Sequence, residues 1–258
     1  MKLKEIVGII EAFAPLAGQA EYDNSGLLYG DLEGEIKGIL ITLDTNPEVV
    51  SEAIARGCNL IVEHHPTVFT PLRSIDLSLP AHRALCTAIA NEIAVYSAHT
   101  SVDFAPGGLN DALAARLGLT EIAPIDPSDP ASGRIGTVSE TTIQAFARHV
   151  ADVLGDRHVA SVGDPCRPVR RVALINGGGG GDVGALFAAR KAGADIFVTS
   201  ELKYHIVRLA KDSDYGIICF GHYDSEIGFV DLMADVLIRN GVSVPILKSE
   251  RCLNPYND

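Results

Sequence analysis

The sequence predicts an α/β protein of two lobes, each built on a parallel or mixed sheet. Three observations carry that expectation. Short apolar runs rich in β-branched residues alternate with helix-length segments, the pattern of βαβ units. The alternation breaks once, at residues 123–133 (APIDPSDPASG), where Pro, Asp and Ser displace apolar residues as in a linker or a domain boundary. It then resumes for a second stretch of similar length, and 258 residues suffice for two domains of ordinary size.

The elements follow in order. Residues 1–15 (MKLKEIVGIIEAFAP) read as an amphipathic helix with acidic residues and no signal-peptide cleavage pattern. Residues 36–44 (IKGILITLD) read as a strand. Residues 47–56 read as a helix, with Pro47 in its first turn and Gly57 as its stop. Strands are expected at 59–63 and 93–98, and helices at 80–91 and 109–117, the last closed by Gly118. Beyond the break, strands are expected at 134–138, 158–162, 169–175, 195–199, 216–220 and 242–247. Helices are expected at 142–154, 183–191, 204–211 and 226–240.

Composition narrows the function classes. Hydrophobic residues make up 47% and charged residues 21%, an ordinary globular balance. The net charge of −12 disfavours wrapping a phosphate backbone and suits the holding of cations. Nucleic acid is therefore not an expected partner, and the basic run at 167–171 (RPVRR) stands alone. The five cysteines form no CxxC motif, which argues against a disulfide framework or zinc ribbon. No apolar run reaches the roughly 18 residues of a membrane span, so a cytoplasmic location is expected.

The polar residues fall where the chemistry of an open α/β sheet belongs, at the carboxyl ends of strands. Residues 59–63 run into His64-His65-Pro66. Residues 93–98 end at His99, with Asp103 four residues on. The strand 216–220 ends at Gly221-His222, with Glu226 four residues later, and the strand at 36–43 ends at Asp44. Singly these are weak signals: a paired histidine is often a polar loop, and Asp103 is equally a turn residue. His222 and Glu226 are one helical turn apart and share a face. Together, imidazoles and carboxylates on one rim suit Zn²⁺, Mn²⁺ or Fe²⁺, and a carboxylate such as Asp103 or Glu226 can serve two ions.

Five segments carry a family resemblance. They are Asp23-Asn24-Ser25-Gly26-Leu27; His64-His65-Pro66; His99-Thr100-Ser101-Val102-Asp103 with Ala105-Pro106-Gly107-Gly108-Leu109-Asn110-Asp111; Thr199-Ser200-Glu201-Leu202-Lys203-Tyr204-His205; and Gly221-His222-Tyr223-Asp224-Ser225-Glu226. In this order, nearly end to end, the chain resembles the Nif-three-like proteins, also known as GTP cyclohydrolase I type 2 homologs or dinuclear metal centre proteins. The resemblance implies two divalent transition-metal ions per chain, held by His64, His65, Asp103, His222 and Glu226. It implies a toroidal homohexamer whose sites face an internal cavity. It also implies that the C-terminal segment returns to the first lobe, giving lobes at 1–124 with 229–258 and at 125–228. The chain departs from the family at Ser200, where Gly is common, and at Ile206, where an acid is common.

The remaining motifs are read beside that frame. The run Gly177–Gly181 follows a strand and opens a helix, the place of an anion-binding turn, yet it lacks the P-loop and dinucleotide patterns. The plain alternative is a turn that permits close backbone approach. Glu201, Lys203 and His205 are expected to line a substrate pocket, and His99 to orient a ligand or act as an acid or base. His82, His149 and His158 read as structural or solvated. The expected function is a metal-dependent hydrolase acting on a small phosphorylated or nucleotide-like substrate. The alternative is a non-catalytic metal-binding scaffold or regulator forming a ring.

Overall fold

The computed structural model describes residues 1–256 and is a mixed α/β protein with two sheets. In chain order the first part carries α1 (Leu3–Phe13), β1 (Gly26–Tyr29), β2 (Ile39–Thr42), α2 (Pro47–Ala55), β3 (Leu60–Glu63), α3 (Pro80–Ala90), β4 (Ala94–Ser97) and α4 (Thr100–Phe104). The middle carries α5 (Leu109–Arg116), β5 (Thr120–Asp126), β6 (Asp129–Thr142), α6 (Ile143–Leu154), β7 (Ala160–Val162), β8 (Pro168–Ile175), α7 (Val183–Lys191), β9 (Ile196–Ser200), α8 (Tyr204–Asp212), β10 (Gly216–Phe220) and α9 (His222–Glu226). The chain closes with α10 (Gly228–Arg239) and β11 (Ile246–Lys248). Two compact units result: Met1–Ala105 with the chain from Phe229 onward, and Pro106–Gly228.

The first unit is a five-stranded sheet in the order β1-β4-β3-β2-β11. β2, β3, β4 and β11 run parallel, and β1 closes one edge antiparallel to β4. Every residue of β2, β3 and β4 is buried, which explains their continuous apolar runs. α1 buries Leu3, Ile6, Val7 and Ile10, the i, i+3, i+4, i+7 stripe of an amphipathic helix. α2 starts where Asn46 accepts from the amides of Glu48 and Val49 at 2.9 Å each, with Pro47 as the first helical residue. The returning C-terminal segment pairs β11 with β2, and Ser249 donates to Glu52 at 2.6 Å.

The second unit is a six-stranded mixed sheet in the order β5-β6-β8-β9-β10-β7, with β8, β9 and β10 parallel. Alternation along its strands divides two cores. Val172, Leu174, Ile196, Val198, Ile218 and Phe220 pack with α5 and α6 on one face. Ala173, Ile175, Phe197 and Ile217 pack with α7 and α8 on the other.

Two expectations need correction. Residues 123–133 are not a linker: β5 and β6 form an antiparallel hairpin whose tip is Pro127-Ser128, with Asp126 opposite Asp129. The segment looked like a linker because β5 is mostly exposed and carries little apolar signal. With α5 also packed on the second sheet, the chain crosses between units after Ala105 rather than near residue 124. The helix expected at 226–240 is two helices, α9 ending at Glu226 and α10 beginning at Gly228.

The hairpin's base also explains the Asn110-Asp111 part of the resemblance. Arg134 is 3% exposed, and its guanidinium meets Asp111 through two bonds of 2.7 and 3.2 Å. The carbonyls of Pro130 and Gly133 accept further bonds from it. Asn110, wholly buried, accepts from the amide of Asn176 at 2.9 Å and so pins the end of β8.

Candidate metal centre

In the first unit three parallel strands deliver histidines or their partners to one rim. β3 ends at Glu63, and the amides of His64 and His65 bond to the carbonyl of Leu43 at 3.1 and 3.0 Å. The hydroxyl of Ser97 holds the His64 carbonyl at 3.0 Å, and the amide of Ala98 holds that of Glu63 at 2.8 Å. The backbone that carries the paired histidines is thus fixed by both neighbouring strands.

Each imidazole has an oxygen at its Nδ1. For His64 it is the carbonyl of Ala98 at 2.9 Å, for His65 the carboxylate of Asp44 at 2.8 Å, and for His99 the carboxylate of Asp23 at 2.7 Å. A carbonyl or an ionised carboxylate only accepts, so each neutral ring carries its proton on Nδ1 and its lone pair on Nε2. That arrangement orients metal-binding histidines. One ligand nitrogen from each of the three rings lies within 4.8 Å of the others. Asp103 is buried on α4, with Oδ1 3.7 Å from Nε2 of His64.

The Asp23 carboxylate is the hub of the Asp23-Asn24-Ser25-Gly26 segment. Beyond His99 it accepts from the Asn24 amide at 2.7 Å, the Ser25 hydroxyl at 2.9 Å and the Thr100 amide at 3.0 Å, and from the Thr100 hydroxyl. Burial works to raise its pKa. The bonds from His99 and Thr100, with the His99 charge, outweigh burial and hold it well below the usual carboxylate range. Sequence reasoning missed this partnership, because Asp23 and His99 are 76 positions apart. Behind the paired histidines, Glu63 is wholly buried and accepts from Thr67 through its amide at 2.7 Å and its hydroxyl at 2.5 Å. Burial pushes its pKa up to about 7.

In the second unit α9 follows β10 directly and places His222 and Glu226 on one turn. Nε2 of His222 is 2.8 Å from Glu226 Oε2, and Nδ1 is 2.8 Å from Glu201 Oε1. Burial favours the neutral ring, but the two carboxylates prevail and raise the His222 pKa to about 9. Glu226 is 3% exposed. Glu201 therefore orients His222 directly, and it does so from a left-handed backbone with φ of 52°. Lys203 and His205 are exposed at the start of α8, with the Lys203 side chain beside Gly181.

The glycine run acts by close approach. Gly177 has φ of 54°, and a Cβ there would lie 1.9 Å from Glu226 Oε1. A Cβ on Gly180 would lie 2.3 Å from the Thr199 hydroxyl and 2.5 Å from the Ser200 carbonyl. Ser200 donates its hydroxyl to the Gly177 carbonyl, and Ile206 is fully buried, so both departures from the family are accommodated. The amide end of α7 is capped by the Asp182 carboxylate, which accepts from Gly184 at 3.0 Å. The histidines set aside in the sequence have other roles. His82 accepts from the Asp76 amide, His149 donates to the Leu117 carbonyl, and His158 is exposed. In the basic run, Arg167 pairs with Asp214 and Arg170 with Glu140.

The molecule is thus an α/β protein whose parallel strand ends carry histidine and carboxylate groups suited to a divalent ion. The sequence model of the Duf34/NIF3 (NGG1p interacting factor 3) family matches residues 1–255. A GTP cyclohydrolase 1 type 2 homolog of Clostridium perfringens is 35% identical, covering 88% of this chain and 87% of its own. A protein of the same name from Bacillus subtilis is 25% identical over an alignment of 366 residues, covering 98% of this chain and 97% of its own. Among solved structures, a hypothetical protein of Staphylococcus aureus superposes with a TM-score of 0.89 at 26% identity, covering 100% of this chain and 99% of its own. Reduced HcgD of Methanocaldococcus jannaschii gives 0.84 at 28% identity, covering 97% and 98%. The chain belongs to the Duf34/NIF3 family. Among the described residues no helix is long and apolar enough to cross a membrane.

Proposed function

We propose that the chain is a dinuclear metal-dependent hydrolase, with His64, His65, Asp103, His222 and Glu226 as the ligands of two divalent ions. The observation that carries this reading is the set of histidines at parallel strand ends, each held through Nδ1 by an oxygen. The donor set fits such ions: imidazole nitrogens and buried carboxylates, with no thiolate among the proposed ligands. Bound divalent ions supply Lewis acidity and lower the pKa of water. The protein's own part is to hold the imidazoles in one tautomer, to orient His222 through Glu201, and to keep Glu226 buried against Gly177.

A small phosphorylated or nucleotide-like substrate is the class we favour. Lys203 beside Gly181 offers a cation for an anionic group, and the name shared by several relatives points to nucleotides. We propose a cytoplasmic homohexameric ring on family grounds, which light scattering at micromolar concentration tests: a monomer there removes the ring and leaves the site. For the site itself, metal analysis of untagged protein should find up to two transition-metal ions per chain. Glu226→Gln should lose at least one, and unchanged stoichiometry would exclude Glu226 as a shared ligand. A hydrolase screen with Zn²⁺, Mn²⁺ and Fe²⁺ then tests turnover; full metal without turnover on any phosphorylated substrate favours the scaffold reading.

A further inference from the structure

We infer that Asp156 is a positioning residue of the second unit: its carboxylate, carried at the end of α6, fixes the junction of β10 and α9 and so sets where His222 and Glu226 stand. Asp156 lies outside the proposed ligand set, and the consequence for ion binding rests on the metal-centre reading.

α9 is too short to place itself. It has five residues, well below the roughly 12–15 at which an isolated helix becomes even marginal in water. It joins β10 through Gly221 alone, and no larger residue fits there, because a Cβ would lie 2.3 Å from Asp224 Oδ2. The backbone freedom that glycine brings to this junction has to be removed from outside. Asp156 removes it. Its Oδ2 accepts from the Gly221 amide at 2.7 Å, across 65 positions of sequence, and its Oδ1 accepts from the His158 amide at 2.7 Å. The anchor is rigid: Asp156 follows Gly155, the left-handed C-cap of α6, and α6 is seated on the sheet through Ile143, Phe146, Val150 and Leu154. On the other side of His222, the Ser225 hydroxyl donates to the His222 carbonyl at 2.6 Å and accepts from the Gly177 amide at 3.3 Å. The backbone of His222 is therefore held from both directions. The Asp156 side chain is 2% exposed, and the His158 ring, 70% exposed, lies 3.7 Å from its Oδ1. Burying a carboxylate is costly, and here two charge-assisted amide bonds at a helix start offset the cost. The side chains served are set closely, since His222 lies 2.8 Å from both Glu201 and Glu226. A shift of α9 by an ångström would break both contacts.

Hydrogen exchange and calorimetric Zn²⁺ titration of the full chain test the inference. In Asp156→Ala the Gly221 amide should exchange about 10-fold faster or more, the scale of a lost bond to a charged group. Zinc affinity should fall about 10–100-fold, as it does when a group that orients ligands is removed. Val150→Ala, a cavity in the same helix, controls for lost stability: it should lower the melting temperature and leave Gly221 protection and zinc affinity native. Asp156→Asn keeps one acceptor oxygen for two amides, so both changes should shrink to about 3–10-fold. If Asp156→Ala does not fold, Asp156→Asn carries the test, and native values in it would overturn the inference. A folded Asp156→Ala with native zinc affinity, in a chain that binds zinc, would overturn the inference and leave the metal centre standing. Equal loss of affinity in Val150→Ala would overturn it too, since general loosening would then suffice. Unchanged Gly221 exchange in Asp156→Ala would overturn the positioning role whatever the metal result. A native chain that takes up no Zn²⁺ would overturn the metal-centre reading, and the consequence for ion binding with it.

Discussion

Gly177→Ala adds one methyl group and changes no candidate ligand, yet it should disable one. Its Cβ would stand 1.9 Å from Glu226 Oε1, against the 3.0 Å below which real contacts essentially never fall. The carboxylate must retreat by about 1 Å, whereas metal–ligand distances tolerate about 0.2 Å. The same retreat breaks the 2.8 Å bond to His222. Alanine at φ of 54° adds about 1 kcal/mol or more of backbone strain, and loosening a buried charge pair adds a further ~1–3 kcal/mol. A total of about 2–4 kcal/mol lowers the melting temperature of a chain this size by roughly 5–15 °C. Gly178→Ala is the control. Its Cβ would meet Glu201 Oε2 at 3.5 Å, an ordinary contact, and the change should stay within about 0.5 kcal/mol. The assays are thermal denaturation and elemental analysis after equilibration with Zn²⁺. A Gly177→Ala protein with full metal and a melting temperature within about 1 °C of native would refute the role given to this close approach.

Other outcomes are expected. Asp111→Ala strands the buried Arg134 charge and should cost about 3–5 kcal/mol by chemical denaturation; Asp111→Leu with Arg134→Leu should recover much of it, and no recovery would mean the pair is not the cause. Glu201→Gly relieves the left-handed backbone and removes the Nδ1 partner of His222; stability should stay within about 1 kcal/mol while zinc affinity falls about 10–100-fold, and unchanged affinity would deny Glu201 its orienting role. His222 has a folded pKa near 9 against an ordinary 6.5, so with chelator present its contribution is complete below pH 6.5 and is lost as pH rises through about 9. Melting temperature should therefore fall across that window in the native chain and less steeply in His222→Gln; parallel curves would show that this titration does not matter.

The parallel strands were legible because β2, β3 and β4 are buried on both faces and read as unbroken apolar runs. His64, His65, His99 and His222 were legible because each directly follows such a run, where an open sheet places its ligands. What the sequence concealed was long-range or polar. The edge strand β1 is four residues long and only partly buried. The β5–β6 hairpin hides behind Asp, Pro and Ser that form its tip. The partners of the histidines show no local signal, since Asp44 lies 21 positions from His65 and Glu201 is separated from His222 by a helix and a strand. The glycine run admitted two readings, and the distances to Glu226 and Thr199 show close backbone approach at Gly177 and Gly180.

The hairpin tip gives the fold room to grow. Asp126 and Asp129 face each other across Pro127-Ser128, so chain leaving one strand and entering the other has endpoints about 5 Å apart. A whole folded module whose own termini are neighbours can be spliced in there while the ladder beneath keeps its register. The tip is exposed, and Arg134, five residues along β6, is anchored to Asp111. A reporter domain grafted between residues 127 and 128 should leave both histidine groups untouched.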